Sequence, residues 1–300
     1  MGCVYKILMK VSLYMSFDHI YNTDISDYSI ENEISFTARE LFHRIDAGWM
    51  QLLNYPILPL KDIAVSSPIS QICMRWIPEE HENTTPGSFF TMLEQSGLMG
   101  ITDRWVIQRV CNLLLTKHQQ SAADNTTFPE KYLISLSLQS VFESETGDHI
   151  KRTIDANNIS GAELCFEISL PTALNYPHYV IKLAQKLKSA GCSLVINGTP
   201  DVEELLWAKK YLNVQYLKID FSSVNSNESC STALKQHAPL IESCKQLKIK
   251  CIAQYLDVPF VLPKMEESGY HYAQGYGLAM PSLLDTPSQM HLSESRATLN

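Results

Sequence analysis

A (β/α)8 barrel is the fold class this sequence predicts, and three observations predict it. Eight short apolar runs recur along the chain, at 51–57, 69–76, 131–137, 163–168, 193–196, 214–219, 249–253 and 270–274. Their length and nearly unbroken apolar character are those of strands buried on both faces. Amphipathic helical patterns separate most of them, and a strand–helix alternation over about 250 residues favours a closed barrel over a doubly wound sheet. With 300 residues and 45% hydrophobic side chains, the chain is long enough to bury such a core.

Taken in order, residues 1–35 read as a leader and linker, 36–288 as the barrel domain and 289–300 as a tail. Met1 to Phe17 is apolar but carries Lys6 and Lys10, so it lacks the ~20 uninterrupted apolar residues of a membrane helix. It has no small-residue cleavage site, and Lys6 stands where an acylation signal opening Met1-Gly2-Cys3 needs Ser or Thr. Residues 18–34, with Asp24, Asp27, Glu31 and Glu33, show no periodic apolar face and read as a connector. Thr37 and Glu40 are spaced as a capping box, Leu41, Phe42 and Ile45 form an apolar stripe, and Gly48 ends that helix. The apolar run 50–60 follows. Later, Val180, Leu183, Ala184 and Leu187 share one helical face before Gly191, and Asp201 caps a helix whose apolar residues are Leu205, Leu206 and Leu212.

Composition narrows the partners. The 24 basic and 32 acidic residues give a net charge of −8, which repels phosphate backbones and argues against nucleic acid as the main partner. The cysteines at 3, 73, 111, 165, 192, 230, 244 and 251 form no CxxC pair and lack a His at ligand spacing. Several sit inside apolar runs, so they read as reduced core thiols in a cytoplasmic protein. Asn-x-Ser/Thr triplets such as Asn83-Thr84-Thr85 carry meaning only in a secreted chain, and no export signal accompanies them. In a (β/α)8 barrel the site forms at the C-terminal ends of the strands. That rule selects Gln71, Ser135, Glu167, Asn197 with Gly198, Lys218, Gln254 and Gln274.

Those residues sit in a series of short motifs: Tyr55-Pro56-Ile57, Gln71 to Trp76, Pro86 with Phe89 and Phe90, Ile134-Ser135-Leu136-Ser137, Phe166-Glu167-Ile168, Ile196-Asn197-Gly198, Lys218-Ile219-Asp220, Ile252-Ala253-Gln254-Tyr255-Leu256-Asp257 and Gln274-Gly275-Tyr276. In order and spacing they resemble the EAL domain family, bacterial phosphodiesterases that linearise cyclic di-GMP, over roughly residues 36–285. The resemblance implies a TIM-like barrel with an irregular first strand. It puts Gln71 at the signature glutamate, Ser135 at an asparagine ligand, Asn197-Gly198 at an Asp-Asp pair, and Gln254-Tyr255 at a Glu-Gly pair. Glu167 and Lys218 match the family's own residues.

The family's reaction needs two divalent cations held chiefly by ionised carboxylates. The six acidic positions carry Gln71, Glu167, Asn197, Gly198, Gln254 and Asp257, so two carboxylates stand where the resemblance implies six. The sequence is accordingly read as no enzyme, with no metal, no cofactor and no catalytic residue: a silent barrel regulating bacterial motility, biofilm or RNA turnover by contact with a protein partner. Candidate contact surfaces are the helix over 202–211 and the segment Pro177-His178-Tyr179. The alternative is a cyclic di-GMP receptor using Arg75, Glu167, Lys218 and Gln274, in which Tyr55 either stacks on the ligand or blocks it. A residual phosphodiesterase is the third reading. Glu167 with Lys218 also reads as a structural ion pair, and Arg75, Trp76 and Gln274 as packing of the barrel rim.

Overall fold

Each barrel strand carries alternate residues to opposite faces, and that period of two builds the interior as layers. The structure is a computed structural model that describes residues 37–61, 69–77, 86–124, 131–257 and 259–284. The expected leader at 1–35, the tail at 289–300, Cys3 and the Asn83 triplet lie outside the described residues.

The strands are β1 (Met50–Pro59), β2 (Ile69–Trp76), β3 (Lys131–Ser135), β4 (Leu164–Ser169), β5 (Ser193–Asn197), β6 (Tyr216–Asp220), β7 (Lys250–Gln254), β8 (Tyr272–Ala273) and β9 (Ser282–Leu283). β2 through β8 run parallel in sequence order, and β1 closes the barrel by pairing antiparallel with both β2 and β8. The two-residue β9 extends the wall beside β1 at Leu53 and Asn54. The reversed direction of β1 has a simple cause: only residues 60–68 separate it from β2, too few for the crossover of a dozen or more that a parallel pair requires.

One residue from each of these first eight strands forms the apolar floor of the interior: Ile57, Ile69, Leu133, Cys165, Val195, Tyr216, Ile252 and Tyr272. The intervening residues, among them Ile134, Phe166, Leu194, Ile196, Leu217, Ile219 and Ala253, face outward into the larger core beneath the helices. Burial on both faces is why these strands read as continuous apolar runs.

The helices are α1 (Ala38–Asp46), α2 (Pro86–Gln95), α3 (Met99–Asp124), α4 (Leu138–Phe142), α5 (Thr146–Asn157), α6 (Leu170–Asn175), α7 (Pro177–Ser189), α8 (Val202–Leu212), α9 (Asn227–Gln246) and α10 (Leu262–Glu267). The capping box expected at Thr37–Glu40 forms, and Asp201 caps α8 as expected, with Glu204 completing a second box. A second cluster, Leu41, Met50, Trp76, Phe89, Phe90, Leu93, Leu98 and Met99, packs α1 and α2 against the ends of β1 and β2. Within it Trp76 stacks on Phe89 at 3.9 Å. No helix among the described residues is long and apolar enough to cross a membrane.

Several strand boundaries depart from the sequence reading for local reasons. The run at 131–137 ends at Ser135 because Ser137 becomes the N-cap of α4. The runs beginning at 214 and 249 start their pairing later because Asn213 and Lys248 turn the chain with positive φ, 55° and 56°.

Asp103 on α3 fixes the turn after β3. Its carboxylate accepts from Ser137 N at 2.8 Å, Ser137 Oγ at 2.7 Å and Ser140 Oγ at 2.6 Å. Burial pushes this carboxyl up to about 6 from 3.8, against the opposing pull of those hydrogen bonds. The folded chain therefore keeps a proton that the unfolded chain releases between about pH 4 and pH 6, so the contribution of Asp103 to stability falls as pH rises through that window. Asp103→Asn keeps an acceptor for Ser137 and cannot ionise. Its stability relative to the native chain should rise by roughly 3 kcal/mol between about pH 4 and pH 7 in urea denaturation. A pH-independent difference between the two would refute this account.

Candidate functional site at the barrel mouth

Two residues above the floor on each strand, side chains of a different character point inward: Tyr55, Gln71, Ser135, Glu167, Asn197, Lys218, Gln254 and, just past β8, Gln274. Except for Ser135, each is buried, and Lys218 is only 1% exposed. Lys218 Nζ donates to Glu167 Oε2 at 2.9 Å and to Gln71 Oε1 at 3.2 Å. Glu167 Oε1 accepts from Ser135 Oγ at 3.2 Å and from Asn197 Nδ2 at 3.1 Å. Gln254 Nε2 donates to Asn197 Oδ1 at 2.6 Å, and Gln274 Nε2 to Gln71 Oε1 at 2.8 Å. Every member of this polar ring except Tyr55 is thus held by another member.

Two ions this deeply buried lose several kcal/mol of hydration each, and their attraction offsets that loss only when the remaining hydrogen-bonding capacity is satisfied. The amides and the Ser135 hydroxyl provide that satisfaction. The thiol of Cys73, two residues up β2 on the same face, is pushed up to about 12 by desolvation and by Glu167, against the opposing pull of Lys218.

Seven of the residues singled out from sequence therefore converge, and three others lie elsewhere. Arg75 is on the inner face of β2, four residues above Gln71, where its Nη2 donates to Gln51 Oε1. Its Nε is buried with no hydrogen-bond partner among the described residues. Gly198 leaves β5 with φ +136°, and a Cβ there would come within 2.7 Å of Leu170 Cβ. Asp257 is exposed at the rim, accepting from Tyr276 N at 3.1 Å.

Aromatic rings flank one side of the mouth. Tyr55 and Tyr276 stack with centroids 5.6 Å apart and an interplanar angle of 20°. Burial raises the Tyr55 phenol well above its ordinary value, with further contributions from Tyr276, Cys73, Asp257 and Tyr255. The sequence reading gave no site role to Gln51, Cys73, Tyr255 or Tyr276. Counting in twos from Gln71 finds Cys73 and Arg75, and the antiparallel register then pairs Arg75 with Gln51.

The EAL domain family model matches residues 40–281. The chain belongs to the EAL domain family. Among relatives of this EAL domain is the cyclic di-GMP phosphodiesterase PdeF of Escherichia coli K12, 24% identical over 221 residues, covering 73% of this chain and 29% of PdeF. Another is the cyclic di-GMP phosphodiesterase PdeB of Shewanella oneidensis, 24% identical over 275 residues, covering 89% of this chain and 30% of PdeB. The chain thus spans less than a third of the length of these relatives. The FimX EAL domain of Pseudomonas aeruginosa, solved bound to c-di-GMP, has the same fold, with a TM-score of 0.68 at 23% identity over 81% of this chain and 94% of that one.

These relatives correct the reading of the chain as no enzyme, because PdeF and PdeB are named for cyclic di-GMP hydrolysis. That reading rested on counting residue types at positions aligned by motif. The family's divalent cations are a separate matter of donors. Glu167 is the one carboxylate in the ring, and both its oxygens already accept hydrogen bonds from neighbours. Among the described residues, no three His, Cys, Asp or Glu side chains are grouped to hold a metal. This donor set does not fit a pair of divalent cations.

The ion pair has a measurable signature. Lys218→Met alone should lower the unfolding free energy by about 3–5 kcal/mol, and Glu167→Gln alone by a similar amount, since each strands a buried charge. The double variant should lose less than the sum. Additive losses in urea denaturation would show that the two residues are not coupled.

Proposed function

We propose that this EAL domain recognises cyclic di-GMP at the barrel mouth and serves as a regulatory module in bacterial signalling. One observation carries the reading: the mouth is lined by amide and hydroxyl groups around a carboxylate already neutralised by Lys218, with an arginine at the rim. A ligand with two phosphodiester charges is strongly repelled by a carboxylate-lined cavity, and much less by one whose charges cancel. Arg75, part-exposed above the ring, offers its planar guanidinium to a phosphate, a charge-assisted contact. Gln274 presents its amide to a polar base edge, and the Glu167–Lys218 pair sets the charge beneath the ligand. The FimX EAL domain of the same fold, solved bound to c-di-GMP, supports this choice. The described cysteines are all unpaired, in keeping with a reducing cytoplasm.

A second reading, regulation through contact with a protein partner, is favoured by an exposed aromatic cluster away from the mouth. Phe142 lies edge-on to Tyr176 at 4.8 Å and to Tyr179 at 4.9 Å, and all three are over a third exposed. On α8, Val202, Leu206 and Tyr211 are also exposed. Grouped apolar side chains of this kind are more often contact surfaces than isolated ones are.

Calorimetric titration with cyclic di-GMP is expected to give saturable binding, and Arg75→Ala should weaken it by roughly 10- to 100-fold, the worth of one charged hydrogen bond. Absence of binding by the native chain would sink the recognition reading. Chromatography of the titrated mixture reports whether the bound dinucleotide is hydrolysed, the reaction for which PdeF and PdeB are named. For the second reading, Phe142→Ala combined with Tyr179→Ala should remove a protein captured by the native domain without changing cyclic di-GMP affinity. Retained capture would clear this cluster of that role.

A further inference from the structure

The chain leaves β7 through a tyrosine held in a conformation that side chains rarely adopt. Gln254 faces into the polar ring, and Tyr255 immediately after it has φ +61°. This left-handed region is populated readily by glycine and sparsely by bulky residues. The family resemblance has a glycine in this place.

The turn itself is fixed by hydrogen bonds that require no aromatic ring. Leu256 N donates to Gln274 O at 2.9 Å, and Tyr276 N to Asp257 Oδ1 at 3.1 Å. The facing segment approaches so closely that a Cβ at Gly275 would sit 2.0 Å from Leu256 O, and one at Gly277 2.1 Å from Asp257 O. Glycine at 255 would satisfy the same turn with less strain, so the turn does not account for the ring. Strain held by surrounding structure beside a site is a pointer to function.

The backbone brings Tyr255 to the aromatic side of the mouth, because Leu256, the next residue, is held to Gln274, two positions before Tyr276. Tyr255 is half-buried and directly follows Gln254 of the polar ring, and Tyr276 stacks with Tyr55. Flat, rigid rings beside amide donors suit a planar heterocycle, because every nucleobase has a face to stack and a polar edge to bind. We propose that Tyr255, with Tyr55 and Tyr276, forms a stacking wall for a purine base of the bound cyclic dinucleotide. This inference rests on the recognition reading above and assigns a base-contacting role to a residue outside the polar ring.

The test is calorimetric titration of the full chain and three variants with cyclic di-GMP, alongside thermal denaturation. Tyr255→Phe keeps the face and should bind within about twofold of the native chain. Tyr255→Leu keeps the bulk and the strained backbone but removes the π-face, and should bind about 10-fold more weakly. Tyr255→Gly should weaken binding at least as much while its melting temperature stays level or rises, since glycine relieves the strain. Native-like affinity in both the Leu and Gly variants would overturn the stacking wall and leave the recognition reading standing. A loss in the Phe variant equal to that in the Leu variant would assign the contact to the hydroxyl, and overturn it as well. No binding by the native chain would sink both.

Discussion

The buried Glu167–Lys218 pair constrains everything around it. Both residues project from the centres of parallel strands into a space floored by eight apolar side chains, where neither charge has water to turn to. The 2.9 Å contact settles the charge balance. It leaves donors and acceptors in excess, and Gln71, Ser135 and Asn197 absorb that excess. Gln274 and Gln254 then hold Gln71 and Asn197 in turn. A side chain that would be unremarkable alone is needed here because the next one depends on it. This dependence ties the polarity of the mouth to the stability of the barrel.

Much of this architecture was legible in the sequence, for a physical reason. Strands buried on both faces leave apolar runs, and helices lying on them need caps, so Thr37, Asp201, Gly48 and Gly191 punctuate the chain where the elements begin and end. The ring residues emerged because barrel sites form where strands end and because the motifs matched in order. Short elements were less visible. β9 is two residues long, and β8 is two residues long where five were expected, so pairing there is decided by neighbours rather than by pattern. The Tyr55–Tyr276 stack joins the middle of the first strand to a turn near the end of the domain, and no local signal encodes such a meeting. Tyr255 was visible only as a departure from a family pattern, and its strained φ gave that departure a meaning.

The same motifs also invite an overreach. Substituted carboxylates alone do not decide activity, and family membership joins this chain to proteins named as phosphodiesterases. What the geometry does support is narrower and more useful. The residues at the mouth are committed to one another, so any ligand that enters the ring must exchange existing hydrogen bonds. Recognition by such a surface favours a ligand with several polar edges over a bare cation.

The antiparallel β1 has a consequence for how the molecule assembles. β1 and β2 are the only consecutive strands among the described residues that pair antiparallel, so they can meet early as a hairpin. That hairpin carries Tyr55, Gln71, Cys73 and Arg75 on one face. Their partners come from far along the chain: Lys218 is 147 residues from Gln71, and Gln274 is 203. Long loops are slow to close, so the hairpin waits for the last strand to seal against it. Until it does, half of the mouth exists without the other half, and the polar ring is complete only in the finished barrel.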